Sequence, residues 1–226
     1  MTAILTAESG DTEKVSEIIR ECERMGVEAL PPDINKCLGG FTVIKSEKRD
    51  KMDSIRFGFY TIKNLGTDIS DAIISERKER GEYTSLADFL ERVTHKNLNK
   101  KSLEALIKSG ALDSFGERGQ LLGNIENLIE FNKSFSNKNK DQISLFGGDL
   151  APKSKLTLTD SVPAEKAVML AWEKELLGLY VSGHPLDKVK EKIDNGGMNL
   201  LKIKNSGRND EVIAVAVIIQ TVKTLV

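Results

Sequence analysis

Lys63, Asn64 and Gly66 stand together between an apolar segment ending at Ile62 and a second one that includes Ala72. Residues of these types at this spacing suit one kind of chemistry, the capture of an anion by backbone amides. Gly66 has no Cβ, so a phosphate oxygen can approach the N–H groups of the turn. The helix expected just after it points the positive end of its dipole at the same place. Lys63 adds positive charge. Asn64 is one of the few residue types besides glycine that tolerate left-handed backbone, so a tight bend is open to it. Catalytic chemistry has fewer candidates. No D-x-D pair with strand-like flanks is present, so two-metal phosphoryl transfer finds no ligands. His95 lies in a polar, basic turn and His184 in Ser-Gly-His-Pro-Leu-Asp, places where a lone histidine is structural or solvated. Cys22 and Cys37 lack C-x-x-C spacing and read as reduced thiols, with no metal site expected.

The elements that must position the turn follow from periodicity. An apolar segment, a tight turn with glycine at its far edge and a second apolar segment make the helix-hairpin-helix pattern, which grips the DNA backbone rather than the bases. Its second helix is expected to end near Arg77. Upstream, residues 12–25 place Val15, Ile18, Ile19 and Cys22 at helical spacing, with Thr12 as N-cap and Gly26 as stop. The two prolines of LPPDIN demand extended chain. Phe41–Ile44 and Ile55–Phe59 read as a β-hairpin. Downstream, 84–93 carries Leu86, Phe89, Leu90 and Val93 on one helical face. Residues 98–110 and 118–131 then form a second helix, turn, helix around Gly110. Residues 132–163 are rich in Asn, Lys, Ser, Gly and Pro and read as a flexible linker holding one apolar island, Gln142-Ile143-Ser144-Leu145-Phe146. A strong helix is expected over 164–181, with Trp172, Leu176, Leu177 and Leu179 for packing, Gly183 as its stop and Pro185 barring continuation. A short helix near 187–193 follows. The Val- and Ile-rich stretch 211–226 has the composition of buried strands.

Bulk composition narrows the functional classes. The 226 residues carry 30% charged and 5% aromatic side chains, suited to a soluble, helix-rich protein. The formal net charge is −1, so any nucleic-acid contact must rest on local patches. One such patch is expected over 91–108, where Arg92, Lys96, Lys100, Lys101 and Lys108 face only Glu91 and Glu104. No apolar run approaches the roughly 20 residues that span a bilayer. The N-terminus lacks the basic flank and apolar length of a signal peptide. A cytoplasmic location is expected.

Five separated segments, ECERMGVEALPPDIN (21–35), IRFGFYTIKNLG (55–66), AIISERKERGEYTSLADFLERV (72–93), LNKKSLEALIKSGALDSFG (98–116) and EKELLGLYVSGHPLD (173–187), resemble the bacterial replicative DNA polymerase III alpha subunit, in that family's order. The resemblance covers about residues 13–190. It implies the end of a fingers domain over 1–40 and a β-hairpin plus tandem helix-hairpin-helix region over 41–131. A linker over 132–163, a helical segment over 164–195 and a truncated OB-like start over 196–226 follow. The fold class expected is mainly α. Met1 then reads as an internal methionine and Val226 as an arbitrary end. Two positions depart from the family: Cys37 stands where Ser is frequent, and Asn64 replaces the commoner first glycine of the hairpin, which weakens the phosphate turn.

By the resemblance, the parent is a DNA-directed DNA polymerase, a nucleotidyltransferase, whose catalytic carboxylates and Mg2+ lie in a palm domain upstream. This segment would carry no catalytic residue and no cofactor. Its expected partners are double-stranded primer-template DNA, the sliding clamp and other replicase subunits, with no membrane. DNA would be held by Lys63, Asn64, Leu65, Gly66, Lys100, Lys101 and Gly110. Gln142, Ile143, Ser144, Leu145 and Phe146 resemble the Q-x-x-L-F peptide by which bacterial replication proteins dock on the clamp, with Leu145 and Phe146 as apolar anchors. Two rival readings stand beside this one: a stand-alone helix-hairpin-helix DNA-binding adaptor without polymerase activity, and a purely structural helical scaffold.

Overall fold

A computed structural model describes residues 1–9, 11–46, 52–136 and 156–187. The chain divides into two units, Met1–Ser182 and Gly183–Val226. Of the second, only 183–187 are described. There the Asp187 carboxylate accepts from the His184 amide (2.6 Å), and His184 Nδ1 accepts from the Leu186 amide (3.2 Å). The expected helix near 187–193, the OB-like start and the apolar island at 142–146 lie outside the described residues.

The first unit opens with two helices, α1 (Thr2–Ala7) and α2 (Thr12–Arg24). The cap of α2 is Asp11, not Thr12: its carboxylate accepts the amides of Glu13 (3.0 Å) and Lys14 (3.2 Å). Gly26, left-handed at φ 84°, ends the helix and lets the Val27 amide reach back to the Cys22 carbonyl (2.8 Å). Three short strands follow, β1 (Ala29–Leu30), β2 (Thr42–Ile44) and β3 (Ser54–Arg56), in sheet order β1-β3-β2. The expected hairpin is the antiparallel pair β2 and β3, with Val43 opposite Ile55. It is shorter than the 41–44 and 55–59 pattern. After Arg56 the amides of Phe59 and Tyr60 turn to the carbonyls of Leu38 and Gly39 (2.9 Å each), and Phe59–Thr61 is a single 3-10 turn. A parallel third strand, β1, covers the other edge of β3.

The helical region is α3 (Thr67–Arg80), α4 (Leu86–Arg92), α5 (Lys100–Lys108), α6 (Arg118–Gly123), α7 (Ile125–Ser136) and α8 (Lys166–Leu177). Ser85 caps α4, and Asn99 with Ser102 forms a reciprocal capping box on α5. Among the described residues the fold is mainly α with one small sheet, as the pattern predicted. One apolar core joins Leu5 to Leu179 through Ile34, Phe57, Ile73, Leu90, Leu103 and Leu121, so packing continues across the boundary expected near residue 40.

Three further expectations need correction. The helix over 118–131 is two helices, broken at buried Asn124. The Asn124 side chain donates to the carbonyls of Gln120 (2.9 Å) and Thr159 (2.8 Å) and accepts from the Thr159 amide and hydroxyl (2.8 Å each). Those partners belong to 156–163, assigned by composition to the linker but laid as a strap along α6. Gly119 and Gly123 clear its path: a Cβ on Gly119 would overlap the backbone of Val162 and Ala164, and one on Gly123 would overlap Ser161. Finally, α8 stops at Gly178 (φ 84°) rather than at Gly183, because a left-handed glycine ends the helix as soon as one is available.

Candidate nucleic-acid interface

The bend between the 3-10 turn and α3 is held by two buried side chains and by one backbone bond from α8, and its remaining face is open. Ile62 and Leu65 are buried, whereas Lys63, Asn64, Gly66, Thr67 and Asp68 are exposed. The Leu65 amide bonds the Ile62 carbonyl (3.2 Å), closing a four-residue turn. Asn64, at the third position, is the only non-glycine residue with positive φ (68°) among those described. This is the arrangement of a type II turn, which favours Gly or Asn there. The amide that follows the bend in α3 without a partner is not a single one. The N–H groups of Asn64, Gly66, Thr67 and Asp68 meet no acceptor among the described residues, and Gly66 caps α3 with no side-chain bond. Gly66 itself has an ordinary φ of −70°, and a Cβ there would enter open space. Nothing in the fold requires a glycine at 66. Its clearance matters only to something approaching from outside.

Two members of the expected set do other work. Leu65 is a core anchor with its amide occupied, so it offers a phosphate neither group. Gly110 is buried and left-handed at φ 87°; its amide bonds the Ile107 carbonyl (3.0 Å), and the Arg118 guanidinium covers its Cα. It is the stop of α5, not a phosphate turn. The Lys63 amide is also taken, by the Leu176 carbonyl at the end of α8 (3.0 Å), which leaves the Lys63 side chain as its exposed group.

The basic stretch is thinner than its charge count implied. The side chain of Arg92 is 6% exposed, paired with Glu76 and Asp88 (3.1 Å each) and stacked 4.5 Å over the ring of Tyr83. It is a strut between α3 and α4. Lys108 pairs with Glu104 (3.3 Å) and Lys100 with Glu126, both near the surface. Lys96 and Lys101 are exposed and have no ion pair among the described residues. Asn97 donates to the Asp68 carboxylate (3.4 Å), which sets the 96–101 stretch beside the start of α3. Lys100 and Lys101 occupy the first turn of α5 with no acidic residue there, although a helix start disfavours cations by about 0.3–1 kcal/mol each. An anion at that place would relieve the cost.

The remaining candidates are structural. His95 Nδ1 accepts the Asn97 amide (3.2 Å) and shapes its own loop. Cys37 is buried; its thiol donates to the Phe57 carbonyl (2.9 Å), and burial pushes its pKa up to about 11. Among the described residues no group of three or more His, Cys, Asp and Glu could hold a metal ion. No helix among them is long and apolar enough to cross a membrane. Sequence reasoning missed Thr67 and Asp68, whose open amides became identifiable only once the helix start was fixed at Gly66.

A family model described as a helix-hairpin-helix motif matches residues 26–121, from just before β1 into α6. The DNA polymerase III subunit alpha of Thermus aquaticus is 38% identical over 186 residues, covering 82% of this chain and 14% of the relative. That of Borreliella burgdorferi is 38% identical over 232 residues, covering 100% of this chain and 19% of the relative. That of Bacillus subtilis is 33% identical over 228 residues, again 100% and 19%. The chain thus spans less than a fifth of the length of these curated relatives. It belongs to the DNA polymerase III alpha subunit family, corresponding to a segment that carries the helix-hairpin-helix motif.

Proposed function

We propose that this chain is a non-catalytic segment of a replicative DNA polymerase that holds duplex DNA by its sugar-phosphate backbone and docks on the sliding clamp. The observation that carries the DNA role is the exposed bend at Asn64–Asp68, with unpartnered amides at Asn64 and Gly66 just before α3 and at Thr67 and Asp68 in its first turn, and a glycine that only an outside ligand needs. Lys63, Lys96, Lys100 and Lys101 supply charge around it. Backbone contacts of this kind carry no sequence information, as a replicase requires. The parent enzyme would transfer nucleotides through Mg2+ held elsewhere. Clamp docking rests on Gln142-Ile143-Ser144-Leu145-Phe146, in which Leu145 and Phe146 would fill a pocket on the partner and Gln142 would bond at its rim.

The DNA role is tested by Lys63→Glu. Duplex affinity should fall about fivefold or more at low salt, roughly 1 kcal/mol, with unchanged helix content. Equal binding by the variant and the parent chain would end the assignment.

A further inference from the structure

The strap and α8 do more than fill space beside the helical region. Glu173 is 0% exposed, and both of its carboxylate oxygens are used. Oε1 accepts from Arg118 (3.0 Å), itself held by Asp113 (2.8 Å) and the Lys108 carbonyl (3.2 Å). Oε2 accepts the amides of Val181 and Ser182 (2.9 Å each), folding the chain after α8 back on the helix. One side chain thus fastens α8 to the α5–α6 turn and fixes its last turn. That last turn ends in carbonyls with no partner inside the helix. One of them, on Leu176, accepts the amide of Lys63, the second residue of the bend. The bond fixes the peptide plane between Ile62 and Lys63, one residue before the left-handed Asn64.

Resting on the DNA-backbone reading above, the geometry points to Glu173 as a positioning residue for the phosphate turn. Buried and bonded through its carboxylate to Arg118, Val181 and Ser182, it sets α8 so that the Leu176 carbonyl holds the Lys63 amide and the bend keeps the shape that opens its amides. The segment that follows the 137–155 stretch is therefore a working part of the DNA grip, not a spacer.

The test uses the 226-residue chain with Glu173→Gln, Gly178→Ala and the exposed-site control Val168→Ala. Gly178→Ala disturbs the same helix end without touching charge, since Gly178 sits at φ 84°. Amide exchange at Lys63 is read by NMR, and duplex affinity by fluorescence anisotropy. Both Glu173→Gln and Gly178→Ala should speed Lys63 exchange at least tenfold and weaken duplex binding threefold or more, while amides in α3 beyond its first turn keep their protection. The control should change neither. If Lys63→Glu weakens binding but the folded variants leave Lys63 exchange and affinity at parent values, the positioning role is wrong and the phosphate turn stands. If Lys63→Glu has no effect, the phosphate turn itself is wrong. Should Glu173→Gln fail to fold, Gly178→Ala decides alone.

Discussion

At the residue scale, Gly66 separates what the fold needs from what a ligand needs. Its backbone angles suit any residue, and its missing Cβ faces open space. Gly66→Ser should therefore stabilise the protein slightly, by about 0.3 kcal/mol, because Ser is a better N-cap. The same hydroxyl would occupy one of the open amides, so duplex affinity should fall. Opposite signs in urea denaturation and in a binding titration are the expected result; loss of both together would make Gly66 a structural glycine. Cys37 illustrates a residue with no free capacity. Its folded pKa of about 11 lies above the ordinary 9, so its protonated form stabilises the fold at every pH below 9. That contribution, roughly 2 to 3 kcal/mol, should vanish as pH rises from 9 to 11. A Cys37→Ser variant, which keeps a donor to the Phe57 carbonyl, should lose the alkaline dependence.

At the scale of elements, the glycines of α6 make a path for a second piece of backbone. Gly119 and Gly123 lie one helical turn apart, and the strap passes over both. The bonds between Thr159 and Asn124 hold it, and so does the Ala164 amide, which donates to Glu117 (2.9 Å), the residue that also caps α6. Burial pushes the Glu117 pKa upward, but the amides of Gly119, Ala164 and Gln120 outweigh it and hold the carboxyl below the usual range. Gly119→Val should displace the strap at a cost of about 1–3 kcal/mol. Limited proteolysis near residue 160 reads the outcome; unchanged cleavage with unchanged stability would show that the groove accepts a larger side chain. Sequence composition assigned this strap to a linker because 132–163 as a whole is rich in Asn, Lys, Ser, Gly and Pro. Its order comes from partners 35 or more residues away, which no local window contains.

At the scale of the whole molecule, near-neutral charge limits how DNA can be held. With a formal net charge of −1 there is no long-range attraction, and binding must come from a few close phosphates. A slope of log K against log salt of about −2 to −4 is expected, since each neutralised phosphate contributes about −0.9. A slope near zero would argue against phosphate contacts. Clamp docking should be separable from DNA binding: Leu145→Ala with Phe146→Ala should abolish clamp affinity in calorimetry and leave the salt-dependent duplex binding intact. Clamp affinity equal to that of the parent chain would remove QISLF from the interface.

The sequence by itself determined the local features. The bend at Asn64, the helix stop at Gly26, the antiparallel pair and the apolar faces of α4 and α5 depend on neighbours within a few residues, and each was legible. Family membership was legible too, because five separated motifs keep their order. Only the tertiary structure decided which charges are free and which glycines are open. Arg92 and Gly110 look like DNA contacts in one dimension. Arg92 is consumed by Glu76 and Asp88, and Gly110 is roofed by Arg118, through contacts that chain folding alone creates. The availability of an amide or a cation depends on every group that could reach it first, and that competition is settled in space.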